Sequence, residues 1–192
     1  FFLGLFGLMV FGVMRSGDAQ RDVLPSMLID KPAPAFSLPL LHDASYTLDN
    51  KELAGAPYVL NVWGSWCPAC AQEHGVLTRF ALQRQVRVIG YNWKDERADA
   101  LRWLEQFGNP FWLVVADVEG GNAIDWGIYG APETFLVDAN GVIRWKHVGP
   151  ISDEVVRDSW NVAAGASAVG TVSCPPTWIT DFRQDLPKND VP

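Results

Sequence analysis

The stretch that most restricts what this chain can fold into is Tyr58-Val59-Leu60-Asn61-Val62-Trp63 with the loop that follows it. Those six residues form a compact β-branched and aromatic run between turn signals, the pattern of a strand buried on both faces. Gly64-Ser65-Trp66-Cys67-Pro68-Ala69-Cys70 comes next, then a helical stretch to about Gln83 with Val76, Leu77, Phe80 and Ala81 on one face. Strand, tight loop and helix therefore adjoin, and the loop delivers two cysteines to the helix start. Cysteines three apart there share a face, one turn apart, close enough to close a small disulfide ring.

Downstream the alternation continues. Val86 to Tyr91 reads as a strand, Arg97 to Phe107 as an amphipathic helix, and Trp112 to Ala116 as a strand. After a short helical turn near Ala123 to Trp126, Glu133 to Val137 and Val142 to His147 are joined by Asp138-Ala139-Asn140-Gly141, whose Asn-Gly is a hairpin signal. A helix from Ser152 to about Ala163 closes the pattern. Upstream, Phe36 to Leu40 and the segment around Tyr46 read as short strands turning at His42-Asp43. The expected fold class is α/β, a central mixed sheet flanked by helices. The 192 residues allow one domain of about 35–164, preceded by a polar, Pro-containing tether over 15–34 and followed by a tail over 165–192 without periodicity.

Phe1 to Met14 is apolar throughout, shorter than the roughly 20 residues a spanning helix needs. It is expected to be part of a truncated, uncleaved membrane anchor. A cleaved signal peptide is the rival, but no small-x-small site follows Met14. With 48% hydrophobic and 19% charged residues the composition is globular. The net charge of −7 and the lack of a clustered Lys/Arg surface argue against a nucleic-acid partner.

Three cysteines are too few for a disulfide scaffold, so the Cys67/Cys70 pair calls for a chemical role. Cys67, at the helix N-terminus, meets unpaired amides and the positive end of the helix dipole, which favour a thiolate below the free value of about 8.5. That makes Cys67 the candidate nucleophile and Cys70, a turn deeper, the resolving thiol. Half of a zinc site is the alternative, but the other candidate ligands, Cys174, His42, His74 and His147, are scattered. No metal or cofactor is expected beyond the dithiol itself. A Cys-x-x-Cys beside a βαβ pattern points instead to thioredoxin-like redox chemistry.

Three blocks in order sharpen that reading: Asn61 to Cys70 followed by Glu73-His74, then Gly90-Tyr91-Asn92-Trp93-Lys94-Asp95, then Gly127 to Asp138 containing Gly130-Ala131-Pro132-Glu133-Thr134. Together they resemble the cytochrome c maturation thioredoxin family, CcmG/DsbE, over about Lys31 to Asp158. The resemblance implies a thioredoxin-like fold on the periplasmic side of the bacterial inner membrane, held by an N-terminal helix. It implies a reductant that keeps the haem-binding cysteines of apocytochrome c, or the disulfide of a maturation partner, reduced, drawing electrons from a membrane thiol reductant. It makes Pro132 a cis-proline opposite the cysteines, preceded by Ala131, and Glu73 and Glu133 acidic groups near the dithiol that could relay its proton. Trp66 would pack over the loop and shield the sulfurs, and with Pro68, Tyr91, Asn92, Asp95, Ala131 and Pro132 it would shape the substrate groove. Gly75 stands where the family commonly has proline, and the tail with Cys174 departs from the family's C-terminal helix. A general or oxidising oxidoreductase, a non-catalytic apocytochrome-binding module and, more remotely, a peroxidase of related fold stay open as alternatives.

Overall fold

The computed structural model describes residues 27–84 and 87–157, together with positions 4, 6 and 9, which are helical. Strands β1 (Ser37–Pro39) and β2 (Thr47–Asp49) pair antiparallel and lead into a 3-10 turn over Asn50–Leu53. That turn is fixed reciprocally: the Asp49 carboxylate accepts from the Lys51 amide, while Glu52 accepts from the Asp49 amide. Then follow β3 (Tyr58–Trp63), α1 (Pro68–Arg84), β4 (Arg87–Trp93), α2 (Arg97–Phe107), β5 (Leu113–Asp117), β6 (Glu133–Val137) and β7 (Ile143–Val148).

The main sheet runs β5-β4-β3-β6-β7. β3, β4 and β5 are parallel, as crossovers through α1 and α2 require, while β6 runs against β3 and β7 against β6. β3 is thus the central strand, buried at all six positions. Its alternation sends side chains to two separate cores. Leu60 and Val62 join Ile89, Tyr91, Phe135 and Trp126 on one face. Val59 and Trp63 join Val88, Leu136, Leu77, Phe80 and both active-loop cysteines on the other. The second core, under α1 and α2, is rich in aromatic contacts: Trp63 stacks on Phe111 at 5.5 Å and meets Trp103 at 5.0 Å.

Gly90 shows how tightly this layer is closed. A Cβ there would meet the Phe111 ring at 2.8 Å and Trp63 Nε1 at 2.9 Å. Because overpacking a filled core costs about 1–3 kcal/mol, Gly90→Ala should lower the unfolding free energy by that much, read in urea as a lower midpoint at unchanged slope.

Differences from the expected elements are mostly one or two residues at strand ends. The Asp138–Gly141 connection is the expected hairpin turn, with Gly141 at φ 77° and Asp138 Oδ1 accepting from the Asn140 and Val142 amides. Residues 122–127 form hydrogen-bonded turns rather than a helix. The expected tether is shorter than its reading, because the Asp30 and Ala33 amides donate to Ile143 and Gly141 carbonyls, and Leu28 and Ile29 cover the first core. The chain there meets unpaired main-chain groups at the start of the edge strand β7, which hold it as they would another strand. Residues 153–157 are helical. The rest of the predicted final helix, the tail with Cys174, residues 15–26 of the tether and most of the apolar run 1–14 lie outside the described residues. Among the described residues, no helix is long and apolar enough to cross a membrane.

Candidate active site

The cysteines sit where the central strand hands over to α1. Pro68 is the helix's first residue, where its missing N–H costs nothing and its fixed φ starts the helix. Cys67 therefore occupies the capping position. Its Sγ accepts from the Cys70 amide at 3.1 Å, the bond that a serine or aspartate cap would make. Cys67 and Cys70 form a disulfide, S–S 2.09 Å with Cα atoms 5.3 Å apart, and are 3% and 2% exposed.

The loop before Cys67 is held at each residue. The Trp66 indole lies over Gly64, where a Cβ would meet its Nε1 at 2.5 Å, so only glycine fits. Trp66 donates to the Trp93 carbonyl at 3.2 Å and remains 49% exposed beside the sulfurs. Ser65 is bound twice by Asp95, its amide to Oδ2 at 2.6 Å and its hydroxyl to Oδ1 at 2.7 Å. Asn92 donates to the same carboxylate at 2.8 Å. Asn92 and Asp95 are both buried. They act from beneath the loop as its fastening, so any influence on the substrate groove passes through the loop they hold.

Behind the disulfide, one buried stripe of α1 runs Cys70, Glu73, Leu77, Phe80. Glu73 is 2% exposed. Its Oε1 accepts from Asn61 Nδ2 at 2.8 Å and its Oε2 from the Ile151 amide at 2.7 Å. Burial pushes its pKa up to about 7, against these two hydrogen bonds, which favour the carboxylate. It is half ionised near neutrality, on the same helix face as Cys70. Its neighbour His74 is turned away: Nε2 lies 3.2 and 3.1 Å from the Phe107 and Gly108 carbonyls, so it carries the proton and closes the end of α2.

The Ala131–Pro132 bond is cis, and Ala131 packs against both cores, including the one that contains the two sulfurs. Two candidates fall elsewhere. Glu133 lies on the far face of the sheet with Phe135, fully buried, paired with Lys146 at 2.9 Å and accepting from the Tyr129 and Gly130 amides. It braces the turn before Pro132 and is committed there, so the proton-relay role expected of it does not fit. Tyr91 also faces the far core, its hydroxyl donating to Asp117 at 2.6 Å. It shapes no groove at the cysteines. In both cases the neighbour faces the cysteine side, and a strand cannot send adjacent residues the same way.

Sequence reasoning missed Asn61, Ser65 and Lys146. Asn61 had a signal, as the one amide within an otherwise apolar strand. Among the described residues no group of three or more His, Cys, Asp or Glu side chains could hold a metal ion.

A buried disulfide at a helix start, with a cis-proline loop packed against the same core, is the arrangement for thiol–disulfide exchange, and the comparisons agree. The redoxin family matches residues 29–162. The thiol:disulfide interchange protein DsbE of Xylella fastidiosa strain Temecula1 is 59% identical over 153 residues, 80% of this chain and 77% of that protein. The chain belongs to the DsbE family. The DsbE of Allochromatium vinosum is 50% identical over 154 residues, covering 80% of this chain and 83% of its own. Among solved structures, one from Chlorobium tepidum assigned as a thiol:disulfide interchange protein DsbE superposes with a TM-score of 0.60 at 25% identity, covering 69% of this chain and 94% of that one. This DsbE-family chain is a thiol:disulfide oxidoreductase of thioredoxin-like fold, acting on protein substrates and redox partners.

Proposed function

We propose that the chain is the thiol reductant of cytochrome c maturation, working on the periplasmic face of the bacterial inner membrane. Residues 1–14 anchor it, a tether follows, and the domain up to about 164 carries the chemistry. Cys67 attacks a disulfide of apocytochrome c or of a maturation partner, and Cys70 then displaces the reduced product. A membrane thiol reductant returns the Cys67–Cys70 disulfide to the dithiol, and no other cofactor takes part.

The observation that carries this direction is buried Glu73 on the face of α1 that holds Cys70. A disulfide is a strong oxidant when its reduced form is stabilised. A half-ionised carboxylate behind the dithiol disfavours a lasting thiolate there and takes up the resolving thiol's proton instead. Glu73 thus weights the pair towards reductant.

The redox equilibrium of the full chain against glutathione tests this. A potential near thioredoxin's roughly −270 mV is expected, whereas one near about −120 mV would make the protein an oxidant and overturn the reading. Should both cysteines prove dispensable for haem attachment to an apocytochrome, a binding module would replace the enzyme.

A further inference from the structure

We propose that Asn61 is a positioning residue for the resolving step, holding the Glu73 carboxylate in its proton-accepting state behind Cys70. The inference rests on the relay role given to Glu73 above. It starts from an oddity of the central strand. An amide at position 61 is buried to 1% exposure in the most buried strand of the sheet, at the cost of desolvating two donors and an acceptor. Its two N–H groups are both used on the cysteine side. One meets Glu73 Oε1 at 2.8 Å, the other Thr134 Oγ1 at 3.1 Å on the neighbouring strand. Thr134 stands opposite Asn61 in the β3–β6 ladder, so the amide is held between a fixed hydroxyl and the carboxylate.

The chemistry of the partners sets the direction. Asn61 Nδ2 and the Ile151 amide can only donate, and they meet different oxygens of Glu73, so both bonds exist in full together only when that carboxyl is ionised. In the resolving step the Cys70 thiol gives its proton to Glu73, and the Cys70 thiolate attacks Cys67 Sγ. The Cys67–Cys70 bond forms, the Cys67–substrate bond breaks, and the substrate leaves as a thiolate that is protonated in turn. Asn61 keeps the acceptor charged and turned to its place before that transfer.

Few other charges intrude among the described residues. On α1 the titratable neighbours are the two cysteines, with His74 turned to α2. β6 contributes none, since Glu133 faces the far core. From β7, His147 pairs in the ladder with Thr134 and stacks on Trp145, and burial lowers its pKa, which keeps it neutral. After β7, Asp153 is exposed and paired with Arg79.

The test uses the full chain with Cys174→Ala, reduced, and one equivalent of an aromatic disulfide whose released thiolate is coloured. The first release reports attack by Cys67, the second the resolving attack by Cys70. In the parent the second phase should rise with pH through a wave near about 7, and Glu73→Gln should abolish that wave. Asn61→Leu should move the wave up by about one pH unit, slowing the second phase at neutral pH roughly fivefold with the first phase unchanged. Thr134→Val, which frees the amide to turn, should move it the same way by less, and it serves alone if Asn61→Leu does not fold. A wave that stays in place in these variants overturns the role of Asn61 while leaving the relay intact. Identical profiles for the parent and Glu73→Gln overturn the relay itself, and the inference with it.

Discussion

Replacing Cys67 with serine should reduce disulfide turnover to background, while Cys70→Ser should leave the first attack intact and trap the chain as a mixed disulfide. The asymmetry follows from the helix start. Cys67 caps α1 and its sulfur accepts the Cys70 amide, so the negative charge of a thiolate would be met there by a main-chain donor and the helix dipole. Cys70 lies a turn inside and shares its face with a carboxylate, which stabilises no such charge. An apocytochrome peptide carrying a disulfide, mixed with each variant and resolved by non-reducing electrophoresis and mass, reads the outcome directly. A Cys70→Ser variant that turned over repeatedly at the parent rate would show that the roles are assigned the wrong way round.

The second large effect is on stability. Glu73 ionises near 4.5 in an ordinary setting and at about 7 in the fold, because burial penalises its charged form. A carboxyl whose folded pKa lies above its unfolded one binds the proton more tightly when folded. Its contribution is therefore complete below the unfolded value and is lost as pH rises through the folded one. Across that window, from about 4.5 to about 7, the parent should lose about 3 kcal/mol relative to Glu73→Gln, which cannot ionise. Urea unfolding of both proteins at a series of pH values gives the difference. Curves that run parallel from pH 4 to pH 8 would mean that Glu73 titrates as it does in water.

Both effects depend on residues whose types were legible in the sequence, though their surroundings were only partly so. The order of elements could be read because Tyr58 to Trp63 is too apolar to be anything but interior, and because Asn140-Gly141 closes only a tight turn. Cys67 and Cys70 could be read because nothing else in the chain explains two thiols at a helix start. Which face of the sheet a side chain takes was not read correctly. Alternation says that Tyr91 and Asn92, or Glu133 and Thr134, point opposite ways, yet it does not say which of each pair meets α1. That depends on strand pairing across distant segments, as when Thr134 comes to lie opposite Asn61. Glu73 is a related case. Its spacing between Cys70 and Leu77 sets it on the buried stripe, but a lone acid on a helix is ordinarily solvated, and only the Ile151 amide and Asn61 make its burial tolerable. The start of the domain was misjudged for another reason: Leu28 to Ala33 has no pattern of its own and is held by the edge of β7.

The fastening of Ser65 by Asp95, with the Trp66 indole lying on Gly64, bears on how partners bind. An interface forms at a cost in freedom for every segment that must become ordered on contact. Here the segment that presents the reactive sulfur is already immobilised at each residue from Gly64 to Cys67. When an unfolded polypeptide brings its disulfide to this edge, the loss of conformational entropy falls on the incoming chain and not on the enzyme. Partners will then be discriminated by how little they themselves must give up: short, extended segments that need no remodelling should engage faster than disulfides locked inside a finished fold.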